Sequence, residues 1–282
     1  MSAQIIDGMA IARGVRAEVE QRLQAHVAAG KRAPCLAVIL VGNDPASEIY
    51  VKRKEQTCGS VGIKSKAFHR NASTSQDELI ALIEQLNADD DVDGILLQLP
   101  LPAHLDRVKS VSAIHPSKDV DGITPFNEGK LVWRHPGLYP CTPLGILHLV
   151  QTVEPNLSGK VAAIVGRSAL VGMPTGTLLE NAGCTIIGLH SESVDCPRWT
   201  REAEILVVAA GVKHLVRKDW VRKGAVVIDV GIHRDGNRLT GDVLFDDVKD
   251  IVRAITPVPG GVGPMTIAML VKNCLSAYEQ RI

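Results

Sequence analysis

Apolar residues recur along this chain with two different periods. Ile11, Val15, Val19 and Leu23 keep helical spacing and predict an amphipathic helix over 9–29. Cys35–Val41 (CLAVILV) is apolar at every position, the pattern of a short strand buried on both faces. A helix over 47–61 follows, entered through Asp44-Pro45 and stopped at Gly62. A strand near 66–69, a helix over 76–87 and a buried strand over 94–99 (GILLQL), ended by Pro100, complete the first series. Such alternation makes βαβ units and a parallel sheet. A Pro- and Gly-rich stretch over 135–143 interrupts it, and a second series follows with strands at Val161–Val165, Thr185–Leu189, 205–209 and 225–230. The pattern predicts an α/β chain of two domains. A three-layer α/β catalytic domain covers 1–140, and a Rossmann-like, doubly wound domain covers 141–257. The terminal segment 258–282 returns to the first domain.

Composition narrows the function classes. The chain has 282 residues, 45% of them hydrophobic, and a formal net charge of zero, so it is globular and offers no cationic surface for nucleic acid or an anionic membrane. Asp7 stands where a secretory signal would need an apolar core, and the apolar runs are too short to span a membrane. Six cysteines without a CxxC pair read as reduced thiols of the cytoplasm. No metal is expected. The run Asp89 to Gly94 imitates the start of a calcium loop, but Pro100 stands where the bidentate glutamate belongs, and the histidines have no ligand spacing.

Three places carry candidate chemistry. The stretch 256–266, TPVPGGVGPMT, is too rich in proline and glycine for a helix or central strand, and reads as a stiff loop of exposed amides, either a crossover or a binding loop. Met265 and Thr266 open the helical pattern after it. In VGRSALVG the strand Val161–Val165 runs into a glycine-bearing turn, Gly166, Arg167, Ser168, whose N–H groups suit a pyrophosphate; an ordinary tight turn would look the same. The next strand ends at His190-Ser191 without a carboxylate, and Arg167 with a hydroxyl suits a 2′-phosphate, which favours NADP over NAD; Glu192 cuts the other way. Ile232 follows a later strand at its carboxyl end.

Tyr50, Lys54 and Cys58 share one helix face, so a phenol and an amine can point into one space. An isolated Y-x-x-x-K more often means a packed tyrosine and a lysine reaching to water. Gln98 interrupts an apolar strand, where a buried amide needs partners. Asp119 and Asp121 occupy a turn, D-V-D-G, whose acids usually act as solvated caps.

Taken in order, VGNDPASEIYVKRKEQTCGSVGI, DGILLQLPLP, KDVDGITPFNEGKL, PCTPLGI, VGRSALVG and ITPVPGGVGPMTIAML resemble the bifunctional methylenetetrahydrofolate dehydrogenase/methenyltetrahydrofolate cyclohydrolases, the FolD type. The resemblance runs from Ile6 to the last helix. It implies a homodimer of two-domain subunits that acts on tetrahydrofolate derivatives, with folate in the cleft and NADP on the second domain. By motif, the catalytic residues fall on Lys54, Gln98, Tyr50 and Asp121, and the folate contacts on the same four with Leu99, Pro259, Gly260, Gly261 and Gly263. The cofactor contacts fall on Gly166, Arg167, Ser168, Ser191 and Ile232. Glu192 departs from the family, many of whose members have a basic residue there.

Overall fold

The protein, as a computed structural model, is described over residues 2–236 and 238–282. It divides into two compact units, one of Gly14–Cys141 with Ile267–Ile282, the other of residues through Arg13 with Thr142–Thr266.

In the first unit, Cys35–Val41 is the central strand between Lys64–Arg70 and Gly94–Leu97, all parallel, and every one of its side chains is buried. Helix Pro45–Ser60 starts two residues earlier than its apolar pattern suggested, because the Asp44 side chain accepts from Ser47 N at 2.8 Å and Pro45 takes the first helical position, where no N–H is required. Ser75 and Glu78 form a reciprocal capping box on helix Gln76–Ala88, which turns Leu79, Leu82, Ile83 and Leu86 toward Ile39 and Ile95. The third strand ends at Leu97 rather than at residue 99. Gln98 N still donates to Ile39 O at 2.9 Å, but Pro100 has no N–H to continue the ladder. Gln98 therefore sits at the carboxyl edge of the sheet.

Residues 267–282 belong to this unit through specific polar contacts. Asn273 Nδ2 donates to Val120 O and Tyr139 O, each at 2.9 Å, and Tyr278 Oη donates to Arg32 O at 2.6 Å. Beneath them Asp93, only 1% exposed, accepts both terminal nitrogens of Arg32 at 2.7 Å and Cys35 N at 2.9 Å, while Arg281 Nη1 lies 3.6 Å away. The acid that imitated a calcium ligand is thus committed to guanidinium groups.

In the second unit, six of the described strands form a parallel sheet in the order Gln4–Ile5, Ala254–Ile255, Val226–Asp229, Ile205–Val208, Val161–Val165, Thr185–Leu189, and His233–Asp235 pairs antiparallel with Arg238–Thr240 apart from it. The strand that follows Val161–Val165 in sequence lies on one side of it and the next lies on the other. That reversal is the switch point of a doubly wound sheet. Sequence periodicity placed the whole N-terminus with the first domain, but Gln4–Ile5 pairs with Ala254–Ile255 and carries the residues through Arg13 into this unit. Two-residue strands are too short to show a period. Helix Val262–Glu279 begins before Met265, taking Gly263 and Pro264 into its first turn, which tolerates proline. Nor is the preceding loop wholly exposed: Gly261 is buried, and Gly260 O accepts from Met9 N at 3.1 Å.

Among the described residues all six cysteines are free thiols, and no helix is long and apolar enough to cross a membrane. Removing Asp93 leaves the buried Cys35 amide without its acceptor, while the 36% exposed Arg32 keeps access to water; an orphaned buried donor costs about 2 kcal/mol. Asp93→Ala should therefore lower the unfolding free energy by about that amount in urea titration; a loss below about 1 kcal/mol would mean that the Cys35 amide rehydrates freely.

Candidate active site

Helix Pro45–Ser60 presents Ser47, Val51, Lys54 and Cys58 inward. Lys54 is 7% exposed, and its Nζ donates to Gln98 Oε1 at 3.1 Å. The other end of that amide is occupied too: Gln98 Nε2 donates to Leu99 O at 2.6 Å, which leaves Oε1 turned to the lysine. Tyr50, one turn earlier on the helix, is 41% exposed. The ordinary arrangement of a packed tyrosine and a solvated lysine is thus inverted.

The turn D-V-D-G divides its two acids between different tasks. Asp119 is fully buried, and its carboxylate accepts from Gly122 N at 3.0 Å, Ile123 N at 3.2 Å, Thr124 N at 2.9 Å and Asn127 Nδ2 at 2.9 Å. Burial pushes its carboxyl up, against the pull of those bonds. It is a structural staple, not the solvated cap that composition suggested. Asp121 is left half-buried, against the Cys141 thiol. Burial first, then the Asp121 charge, pushes that thiol well up, while the Lys54 charge pulls it back. Lys54, Gln98, Asp121 and Cys141 therefore share one electrostatic neighbourhood. Cys141 was not singled out in the sequence, where it looked like one more scattered thiol. The loop residues Pro259, Gly260, Gly261 and Gly263 belong to the other unit.

In that unit the turn after Val161–Val165 folds back tightly. Gly166 has φ +117°, and a Cβ there would lie 2.1 Å from Ala209 O; one on Gly172 would lie 2.0 Å from Gly166 O. Ser168 Oγ accepts from Gly172 N at 3.3 Å, where helix Gly172–Asn181 begins. Bare backbone and a helix N-terminus at a switch point form a cradle that fits a dinucleotide pyrophosphate. Arg167, Ser168 and Ser191 are exposed around it. Ile232 stands 51% exposed beyond strand Val226–Asp229, an apolar surface suited to a flat ring.

Comparison with known proteins matches both units. Residues 6–121 fit the catalytic domain of tetrahydrofolate dehydrogenase/cyclohydrolase, and residues 140–282 fit its NAD(P)-binding domain. The chain belongs to the tetrahydrofolate dehydrogenase/cyclohydrolase family. It is 50% identical to bifunctional protein FolD 1 of Pseudomonas putida, over 100% of this chain and 99% of that one. The bifunctional FolD enzyme of Campylobacter jejuni superposes with a TM-score of 0.97 at 45% identity, covering 100% of both chains. The Trypanosoma brucei enzyme, solved with NADP and an inhibitor, gives 0.94 at 34% identity over 99% of this chain and 98% of that one.

This member of the tetrahydrofolate dehydrogenase/cyclohydrolase family also organises its nucleotide unit with two acids that sequence reading passed over. Asp229 Oδ1 accepts from Gly231 N at 3.1 Å and Asp242 N at 2.9 Å, and Oδ2 accepts from Val243 N at 2.9 Å. Asp242 Oδ2 accepts from Ala210 N and Gly211 N at 2.8 Å each, and Oδ1 lies 2.7 Å from His233 Nε2. A Cβ on Gly231 would sit 2.2 Å from Asp242 Oδ1, so the carboxylate itself requires glycine there. Together they tie down the loops that leave strands Ile205–Val208 and Val226–Asp229. An acid inside the apolar run AVVIDVG was the available signal, since a buried carboxylate must find donors.

Burial raises Asp229 from 3.8 to about 6, its amide bonds opposing and the Asp242 charge adding. Between those values the folded state holds a proton that the unfolded chain has released. The residue's contribution to stability therefore falls as pH rises from 3.8 to about 6, and is level above that. Carboxyl-carbon NMR should place its midpoint near 6; a midpoint at or below 3.8 would show that the three amide donors outweigh burial.

Proposed function

We propose that this protein oxidises 5,10-methylenetetrahydrofolate to the 5,10-methenyl form with NADP, then hydrolyses that product to 10-formyltetrahydrofolate. The observation that carries the reading is the buried Lys54 amine hydrogen-bonded to Gln98 at 3.1 Å, within a chain that matches both domains of the family.

The substrate's bridging carbon lies between two nitrogens whose lone pairs can expel hydride, so the oxidation requires no strong protein base. Positioning provides most of the effect. NADP, when bound, accepts the hydride. Gly166, Arg167, Ser168, Ser191 and Ile232 would hold that cofactor: the turn would offer its amides to the pyrophosphate, Arg167 and a hydroxyl would take the 2′-phosphate, and Ile232 would offer an apolar surface.

Hydrolysis adds water to the methenyl carbon and opens the ring, which moves protons from oxygen to the released nitrogen and to solvent. Lys54 Nζ carries those protons, and Gln98, itself fixed by Leu99 O, holds the amine in place. Tyr50, exposed one helical turn away, stacks on or hydrogen-bonds to the folate. Asp121 pairs with the amino-pyrimidine edge through a charge-assisted hydrogen bond. Asp119 supports this role, because it takes up the turn's amides and leaves the Asp121 carboxylate uncommitted to them. The family resemblance supports a homodimer, and the scattered free thiols support the cytoplasm.

General acid–base catalysis contributes about 10²–10⁴-fold. Lys54→Met should therefore cut the hydrolysis of methenyltetrahydrofolate by about a hundredfold or more, while folate binding, followed by fluorescence titration, persists. An unchanged hydrolysis rate would remove Lys54 from the mechanism.

A further inference from the structure

The nucleotide unit carries an ion pair at the place where two dinucleotides differ. Arg167, on the turn after Val161–Val165, puts Nη2 3.4 Å from Glu192 Oε1. The side chains are 58% and 73% exposed, so the pair adds little to stability and opens readily. The loop that bears the acid is nonetheless pinned. His190 N donates to Ser193 Oγ at 3.0 Å, and Glu192 N donates to His190 Nδ1 at 3.3 Å. The backbone beyond strand Thr185–Leu189 thus holds Glu192 facing the arginine.

In a doubly wound fold the region after the second strand meets the adenosine ribose. A carboxylate there accepts from a free 2′-hydroxyl, whereas an arginine nearby receives a 2′-phosphate. This chain has both groups, and they are paired with each other.

We infer that Glu192 sets the selectivity between NADP and NAD, acting as an internal anion that competes with the 2′-phosphate for Arg167. The inference rests on reading this unit as the NADP site. A 2′-phosphate must take Arg167 from the carboxylate, and the displaced carboxylate then faces a like charge. Both effects oppose NADP. Neither acts on NAD, whose 2′-hydroxyl can donate to Glu192. The chain therefore distinguishes the two dinucleotides less sharply than Arg167 alone would.

Isothermal titration of NADP and NAD into the wild-type protein, Glu192→Gln and Glu192→Lys, at one low ionic strength, tests this without reference to turnover. One unit charge a few ångströms from a phosphate near a protein surface is worth about tenfold in affinity. Glu192→Gln should thus bind NADP about tenfold tighter, with NAD unchanged or weaker, and Glu192→Lys should widen the gap. Kd ratios for the two dinucleotides that stay within about twofold of wild type in both variants would overturn the role of Glu192 while leaving the nucleotide site standing. Failure of every protein to bind either dinucleotide would overturn the site itself, and the inference with it.

Discussion

An ammonium group removed from water needs a fixed partner, and the catalytic half of this protein is arranged around providing one. Lys54 finds it in the carbonyl of Gln98 at 3.1 Å. A neutral amide answers the amine's need for an acceptor without the strong fixed charge that a carboxylate would bring. The bond depends in turn on two backbone facts: the Asp44 cap sets where helix Pro45–Ser60 begins and which residues face inward, and the ladder that ends at Leu97 leaves Gln98 at the sheet's edge.

Buried carboxylates do the corresponding work for the loops. Asp93, Asp119, Asp229 and Asp242 are each nearly inaccessible, and each is satisfied chiefly by backbone N–H or guanidinium donors. Loops cannot bond to themselves as helices and strands do, so an internal acceptor replaces the missing ladder. In the D-V-D-G turn Asp119 is consumed in making the turn, and its neighbour Asp121 is left half-buried beside it. In the nucleotide unit the same device holds Ala210, Gly211 and Gly231, whose amides lie just past the carboxyl ends of adjacent strands.

The nucleotide unit also shows how weak and strong electrostatics divide their labour. Asp229 and Asp242 are dry, and their bonds organise the fold. Arg167 and Glu192 are wet, their attraction is largely screened, and they contribute little to stability. A loosely held surface charge can still govern which phosphate-bearing ligand is accepted, because the ligand brings its own charge into the same few ångströms.

Much of this was legible from residues close together in the chain. The alternation of apolar runs, the Asp44-Pro45 helix start, the shared face of Tyr50 and Lys54, and the glycine turn at Gly166 all follow from periodicity and sterics acting over a few positions. Which way that helix face turned was not legible, because burial of Lys54 is decided by a residue 44 positions away. The same holds for the strand Gln4–Ile5, for the division of labour between Asp119 and Asp121, and for the pairing of Arg167 with Glu192. Local patterns select the elements. Only the register of strands far apart in sequence decides which polar groups lose their water together, and that loss creates the site.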